Sequence, residues 1–253
     1  DHSQDATLQQ DHSQDNASGF LERMPFSFPP KILLQFGNVN TGSIRNKRLQ
    51  SFCIMFWIED LFDGNWLNDH DTVSLAALSA SGFNFLDQIP RPSERNGGGV
   101  GVFYNLSLDL SFFDGGEKSS FEFSEWKLSV HGRIIKLVVV YCSPYSKELP
   151  VPASIFFQEF SAFSGNYCVM PEFATVVSGE FNFNLDDSSD ADARKFMELK
   201  DTFGLLQHIT TPMHVSGHFL NLIISRSSND INIFPPKSTH YISNHCFAEC
   251  QLS

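Results

Sequence analysis

The sequence predicts an α/β sandwich, two packed mixed β-sheets flanked by helices. Three observations carry this. Apolar runs of strand length, bounded by turn residues, recur along most of the chain, whereas only two segments show helical spacing. Strands mixed with a few outer helices bury their apolar faces most simply as sheet on sheet with helices outside. The length, 253 residues with 42% hydrophobic content, suits one domain with a substantial core.

Residues 1–29 are a polar tail in which Asp1-His2-Ser3-Gln4-Asp5 recurs as Asp11-His12-Ser13-Gln14-Asp15. So few apolar residues cannot offset the entropy of ordering, so this segment is expected to be disordered, with the folded domain at 30–253. Ile32-Leu33-Leu34 and then Phe52 to Ile58 are strand-like. A glycine-rich start, Gly97-Gly98-Gly99, leads into Val100-Gly101-Val102-Phe103-Tyr104. Alternation over 119–128 predicts a half-buried strand, and the run through Leu137-Val138-Val139-Val140 a buried one; His131-Gly132 joins them as a hairpin. Phe156, Phe157, Phe160 and Phe163 predict a helix over 154–163. After the strand-like Ala174-Thr175-Val176-Val177, a second helix is predicted over 191–203, capped by Ser188, Ser189 or Asp190 and stopped by Gly204. Phe219 to Ile224 and Cys246 to Cys250 complete the strand-like runs. Most of the 26 phenylalanines, Phe121 and Phe123 among them, are expected to fill the core.

Charge and cysteine usage restrict the function classes. A formal net charge of −12 argues against a broad nucleic-acid surface, because DNA affinity rests on Lys and Arg neutralising phosphates. A small basic groove stays open, with Arg45, Lys47, Arg48, Arg91 and Arg95 as candidates. Five cysteines without C-x-x-C spacing read as free, largely buried thiols of a reducing compartment. A nuclear or cytoplasmic location is expected ahead of secretion. No run reaches the roughly 18 to 20 apolar residues a bilayer span needs, so no membrane association is expected. The chain opens on Asp1 with no signal-like stretch and is expected to be a fragment or a processed product. His208, His214 and His218 are expected to be loop structure ahead of a metal cluster.

Chemistry-bearing side chains gather at strand ends. Glu180 and Asn182 follow the run ending at Val177, and the period of two would put both on one face. Asn40 follows the first strand, Glu59 the second, Asn221 interrupts 219–224, and His245 opens the last.

In order, these residues resemble the motifs of the endonuclease/exonuclease/phosphatase family, which includes DNase I. The resemblance is strongest to the endonuclease domain of vertebrate non-LTR retrotransposons. Asn40-Thr41-Gly42-Ser43-Ile44-Arg45-Asn46-Lys47 matches N-x-x-S-(L/I)-x-N-K, and Glu59 alone matches E-T-W-L. Arg95 to Tyr104 matches R-x-G-G-G-V-x-V-F-Y, and Val140-Tyr141-Cys142-Ser143-Pro144 stands for V-Y-R-P-P. Gly179-Glu180-Phe181-Asn182 stands for G-D-F-N, and Phe203 to His208 for F-G-L-x-Q-H. Gly217-His218-Phe219-Leu220-Asn221-Leu222 stands for G-H-T-L-D-L, and Ser243-Asn244-His245 for S-D-H.

The resemblance implies a four-layer DNase I-like sandwich and a nicking DNA endonuclease dependent on Mg²⁺ or Mn²⁺. It further implies DNA as partner and a reverse transcriptase domain C-terminal in the intact parent. By family role, Glu59 and the residue at 244 attend the metal, and the acid at 180 orients or deprotonates the attacking water. Asn182 and Asn40 hold phosphoryl oxygens and acids, and Tyr141 contacts the phosphate. His245 stabilises developing charge and is oriented by the residue at 221.

Three acidic positions depart from the family's aspartates. Glu180 extends the carboxylate by a methylene, and a displacement of about 1 Å can cost on the order of 100-fold. Asn221 can accept a hydrogen bond from His245 but cannot balance an imidazolium; behind the catalytic His of a serine protease, that Asp-to-Asn change costs about 10⁴-fold. Asn244 removes charge beside the cation. The sequence therefore predicts a phosphodiesterase of retrotransposon origin with impaired chemistry. An inactive relic or DNA-binding pseudonuclease, and a phosphatase or phospholipase of the same fold, stand as alternatives.

Overall fold

The computed structural model describes residues 34–40, 52–58, 83–87, 100–130, 132–143, 150–169, 173–227, 231, 233, 237–241 and 246–252. Ile32–Ser253 forms one compact unit. The expectation for residues 1–29 lies outside the described residues.

Twelve described strands form two six-stranded sheets. The first sheet has the order β11 (Lys237–Tyr241), β12 (Cys246–Leu252), β1 (Leu34–Asn40), β2 (Phe52–Ile58), β4 (Val100–Asn105), β3 (Phe83–Asp87). The second has the order β5 (Asp109–Glu117), β6 (Phe121–Val130), β7 (Arg133–Cys142), β8 (Ala174–Glu180), β10 (Asn221–Arg226), β9 (Leu205–Gln207). Both are mixed: β2 runs parallel to β4 and β7 parallel to β8, among antiparallel neighbours. A parallel pair needs a crossover, and between β7 and β8 that crossover is helix α1 (Ala153–Val169). Helix α2 (Ala191–Thr202) lies between β8 and β9.

Alternation along β7 fixes the layers. Ile135, Leu137, Val139 and Tyr141 join Val100, Val102 and Tyr104 of β4 and Cys250 and Leu252 of β12 in the core between the sheets. Val138, Val140 and Cys142 face the opposite way, into a core with α1 and α2. The α/β sandwich read from the sequence is the observed architecture, with described helices on the outer face of the second sheet. This second core takes nine of the described phenylalanines: Phe121, Phe123, Phe156, Phe157, Phe160, Phe163, Phe181, Phe183 and Phe196 are all buried there. Their rings pack edge-on and stacked, as with Phe123 and Phe163 at 4.8 Å and Phe156 and Phe160 at 5.1 Å.

β6 and β7 form the expected antiparallel hairpin, Val130 pairing with Arg133 and Gly132 at φ 76. Helix α1 is longer than the phenylalanine spacing alone indicated, because Ser164 continues the buried stripe of Phe156, Phe157, Phe160 and Phe163. Asp190 is the N-cap of α2, its carboxylate accepting from the N–H groups of Asp192 and Ala193, and Gly204 at φ 62 follows the helix end. Glu159 ties α1 to the turn between β5 and β6: its carboxylate accepts from the N–H groups of Ser119 and Ser120 and, at 2.6 Å, from the Ser120 hydroxyl.

Candidate active site

Three central strands of the second sheet end side by side, and their terminal residues form a row. Tyr141 near the end of β7 pairs with Glu180, the last residue of β8, and Glu180 pairs with Asn221, the first of β10. Register partners share a face. Tyr141 belongs to the core between the sheets, as do Val176, four residues before Glu180, and Ile223, two after Asn221. The row therefore faces the first sheet, and its members are only 2%, 4% and 0% exposed.

Gly179 explains how Glu180 reaches this position. A Cβ at Gly179 would stand 2.0 Å from the carbonyl oxygen of Val140, so the close approach of β8 to β7 requires glycine. Beyond Glu180 the chain stays joined to both neighbouring strands. The Phe181 N–H donates to the Leu220 carbonyl at 2.9 Å, and Asn182 Nδ2 donates to the Cys142 carbonyl at 2.6 Å.

Asn182 departs from the alternation expected of it. Its backbone is left-handed, φ 55, a region Asn tolerates better than most residues, so the chain leaves the strand before a second inward position is reached. Its side chain lines a cavity of about 300 Å³ on the helix-covered side, with Cys142, Phe156, Phe183 and Asp190. Asn221 also differs from expectation: it opens β10, and Phe219 and Leu220 belong to the preceding loop.

The charge of Glu180 is felt by its neighbours. Burial first, and then the Glu180 carboxylate, raise the Tyr141 phenol well above its ordinary value, against a hydrogen bond with Ser143 that lowers it. Burial, followed by Glu180 and Glu159, pushes the Cys142 thiol up to about 12. Both groups are therefore neutral near pH 7.

The loop that follows β8 and the loop that precedes β10 meet. Asp186, in the loop after β8, accepts from the Phe219 N–H at 3.1 Å and lies 3.1 Å from His218 Nδ1. Slight burial pushes its carboxyl up, but these bonds outweigh burial and hold it below the usual carboxylate range. His208 Nε2 lies 2.8 Å from the Ser225 hydroxyl, and His214 Nδ1 bonds the Ser216 hydroxyl. Burial lowers the pKa of both histidines; for His214 the neighbouring His218 adds to it. Asp186 was not singled out by the sequence, since 32 residues separate it from His218 and no local pattern links them.

In the first sheet, β1 and β12 are antiparallel with Asn38 opposite Ala248. Two further steps of that register bring Asn40 level with Cys246, the residue after His245. By contrast β1 and β2 are antiparallel, with Asn40 opposite Phe52 and Leu34 opposite Ile58. The strand end leading into Glu59 is thus about 20 Å from the Asn40 end. Glu59, Asn244, His245, Arg45, Lys47, Arg48, Arg91 and Arg95 lie outside the described residues. Among the described residues no three His, Cys, Asp or Glu side chains gather as a metal site, and no helix is long and apolar enough to cross a membrane. Cys142 and Cys250 are buried free thiols.

No protein-family model matches the sequence, and no curated protein is detectably similar to it. Solved structures share its fold. The endonuclease domain of TRAS1, a telomere-specific non-LTR retrotransposon, aligns over 71% of this chain and 91% of its own at 12% identity, TM-score 0.51. D. rerio TDP2 complexed with single strand DNA product aligns over 74% and 83% at 10% identity, TM-score 0.52. The human Nocturnin catalytic domain with bound sulfate anion covers 74% and 78% at 15% identity, TM-score 0.49. At these identities the likeness is one of fold, and the TRAS1 and TDP2 structures make that fold the DNase I-like sandwich.

Proposed function

We propose that this chain is a divalent-metal-dependent phosphodiesterase of the DNA-nicking type, of retrotransposon descent, with its chemistry impaired at Glu180, Asn221 and Asn244. One observation carries the reading: the register row that sets the amide of Asn221 directly opposite the carboxylate of Glu180. In the related motifs both positions are aspartate. The substrate class is supported by two neighbours of this fold, one named as a retrotransposon endonuclease domain and the other a TDP2 complexed with single strand DNA product.

In this reading Glu180 orients and deprotonates the attacking water from its buried position at the end of β8. Asn221 accepts a hydrogen bond from His245, which neutralises charge developing on the phosphate. Tyr141, neutral at working pH, donates its phenolic hydrogen to a phosphoryl oxygen. Asn40 contributes at the end of β1, level with Cys246. Asn182 holds the ends of β7 and β8 together through the Cys142 carbonyl.

The oxygen atoms of the row, those of a carboxylate, an amide and a phenol, are of the kind a hard cation takes. The motifs place Asn244 beside the cation and keep Glu180 for the attacking water. Glu59 is the ligand the motifs supply, although its strand end lies away from that of Asn40. Magnesium or manganese bound there would supply electrostatic stabilisation of an in-line displacement. DNA and a following reverse transcriptase domain are the proposed partners. A DNA-binding relic is the second reading, favoured by the neutral Asn221.

The test is conversion of supercoiled plasmid to nicked circles with Mg²⁺ or Mn²⁺. Slow nicking that needs the cation and is lost in Glu180→Gln is expected. Nicking that persists in Glu180→Gln or in the presence of chelator would overturn the assignment.

A further inference from the structure

Resting on the site reading above, we infer that Asp186 is a positioning residue that sets Asn221 against Glu180. The two strand ends bearing this pair are joined past the sheet by two bonds from the loop after β8 to the residues preceding Asn221. The first is Phe181 N–H to the Leu220 carbonyl, 2.9 Å. The second is the Asp186 carboxylate, whose Oδ1 accepts from the Phe219 N–H while Oδ2 faces His218 Nδ1, both at 3.1 Å.

The surroundings make Asp186 a staple between loops. Its own loop is braced by turn bonds from Leu185 N–H to the Phe183 carbonyl and from Asp187 N–H to the Asn184 carbonyl, each 2.9 Å. The facing loop is closed by Gly217 N–H to the His214 carbonyl at 2.9 Å and anchored by Met213, which is fully buried between the sheets. Asp186 joins two loops that are each already shaped, so its bonds fix their relative placement, which is the placement of Asn221 against Glu180. A carboxylate takes Nδ1 of His218 only as a donor, whereas an amide at position 186 can donate to Nδ1 and still accept from Phe219. Asn is therefore the conservative variant.

The experiment compares Asp186→Ala, Asp186→Asn and His218→Ala in the full chain by residue-resolved amide exchange and by plasmid nicking. In Asp186→Ala, exchange should rise about tenfold or more at Phe219 and also at Phe181, whose amide does not touch Asp186, while the β6–β7 hairpin is unchanged. Asp186→Asn should restore protection at both. His218→Ala should loosen Phe181 less, because the Phe219 bond remains. Nicking should lose kcat with KM for DNA unchanged, and recover in Asp186→Asn. Protection at Phe181 that survives Asp186→Ala would overturn the inference, as would equal behaviour of the Ala and Asn variants. Should Asp186→Ala fail to fold, Phe181 protection in His218→Ala equal to that of the unmodified chain would overturn it, and loosening would support it. If no variant nicks but Phe181 and Phe219 respond as stated, the nuclease reading fails and the staple stands.

Discussion

At Asn221 the molecule departs furthest from the chemistry its motifs imply. An aspartate there would face Glu180 across one ladder step, and like charges directly opposite destabilise a sheet. Buried, such a pair keeps both charges only if a cation lies between them; otherwise one takes up a proton. Asn221→Asp is thus expected to cost about 1–3 kcal/mol without divalent metal and to regain it with Mg²⁺ or Mn²⁺. Thermal melts with and without the cation check this, and equal metal response in both chains would count against a cation site at the row. The positions of Glu180 and Asn221 were legible in the sequence because each adjoins an apolar run. Asn182 was not: alternation holds only while the backbone stays extended, and nothing in Glu180-Phe181-Asn182 announces a φ of 55.

Secondary-structure elements were easier to read than their directions. The hairpin of β6 and β7, the helix opened by Asp190 and the glycine stop at Gly204 each rest on local chemistry that a sequence displays. The antiparallel course of β1 and β2 does not, since apolar runs report burial and carry no sign of chain direction. That is why the strands leading to Asn40 and Glu59 looked equivalent in sequence, yet Asn40 pairs with Phe52, at the other end of β2 from Ile58. Gly179→Ala should disrupt the β7–β8 ladder, because its methyl would overlap the Val140 carbonyl and backbone cannot yield as a side chain can. A loss of more than about 3 kcal/mol is expected in denaturant midpoints. Asp190→Ala, which removes only the cap of α2, should cost about 1 kcal/mol. A milder effect at Gly179 than at Asp190 would contradict the close approach.

For the whole molecule, stability depends on how α1 is held to the second sheet. Burial pushes the Glu159 carboxyl up, but the Ser120 and Ser119 groups outweigh it and hold it below its ordinary 4.5. A carboxylate depressed on folding adds stability that is fully present above the unfolded value and is lost as pH falls through the folded one. Glu159→Gln should therefore lower the urea midpoint at pH 7, with the difference shrinking below about pH 4. A difference that grows on acidification would contradict the tie. The layered fold itself was legible from strand-length runs and sparse helical spacing, whereas the seating of the phenylalanines against α1 and α2 needed the topology.

The central question is whether this fold performs phosphodiester chemistry limited by its altered acids. The direct measurement is the nicking rate of the unmodified chain against a variant carrying Glu180→Asp, Asn221→Asp and Asn244→Asp, with Mg²⁺ or Mn²⁺ and both proteins verified as folded. A rate at least about 100-fold higher in the restored variant is predicted, given what a misplaced carboxylate and an uncharged partner behind the histidine cost. A folded variant that nicks no faster than the unmodified chain would contradict it.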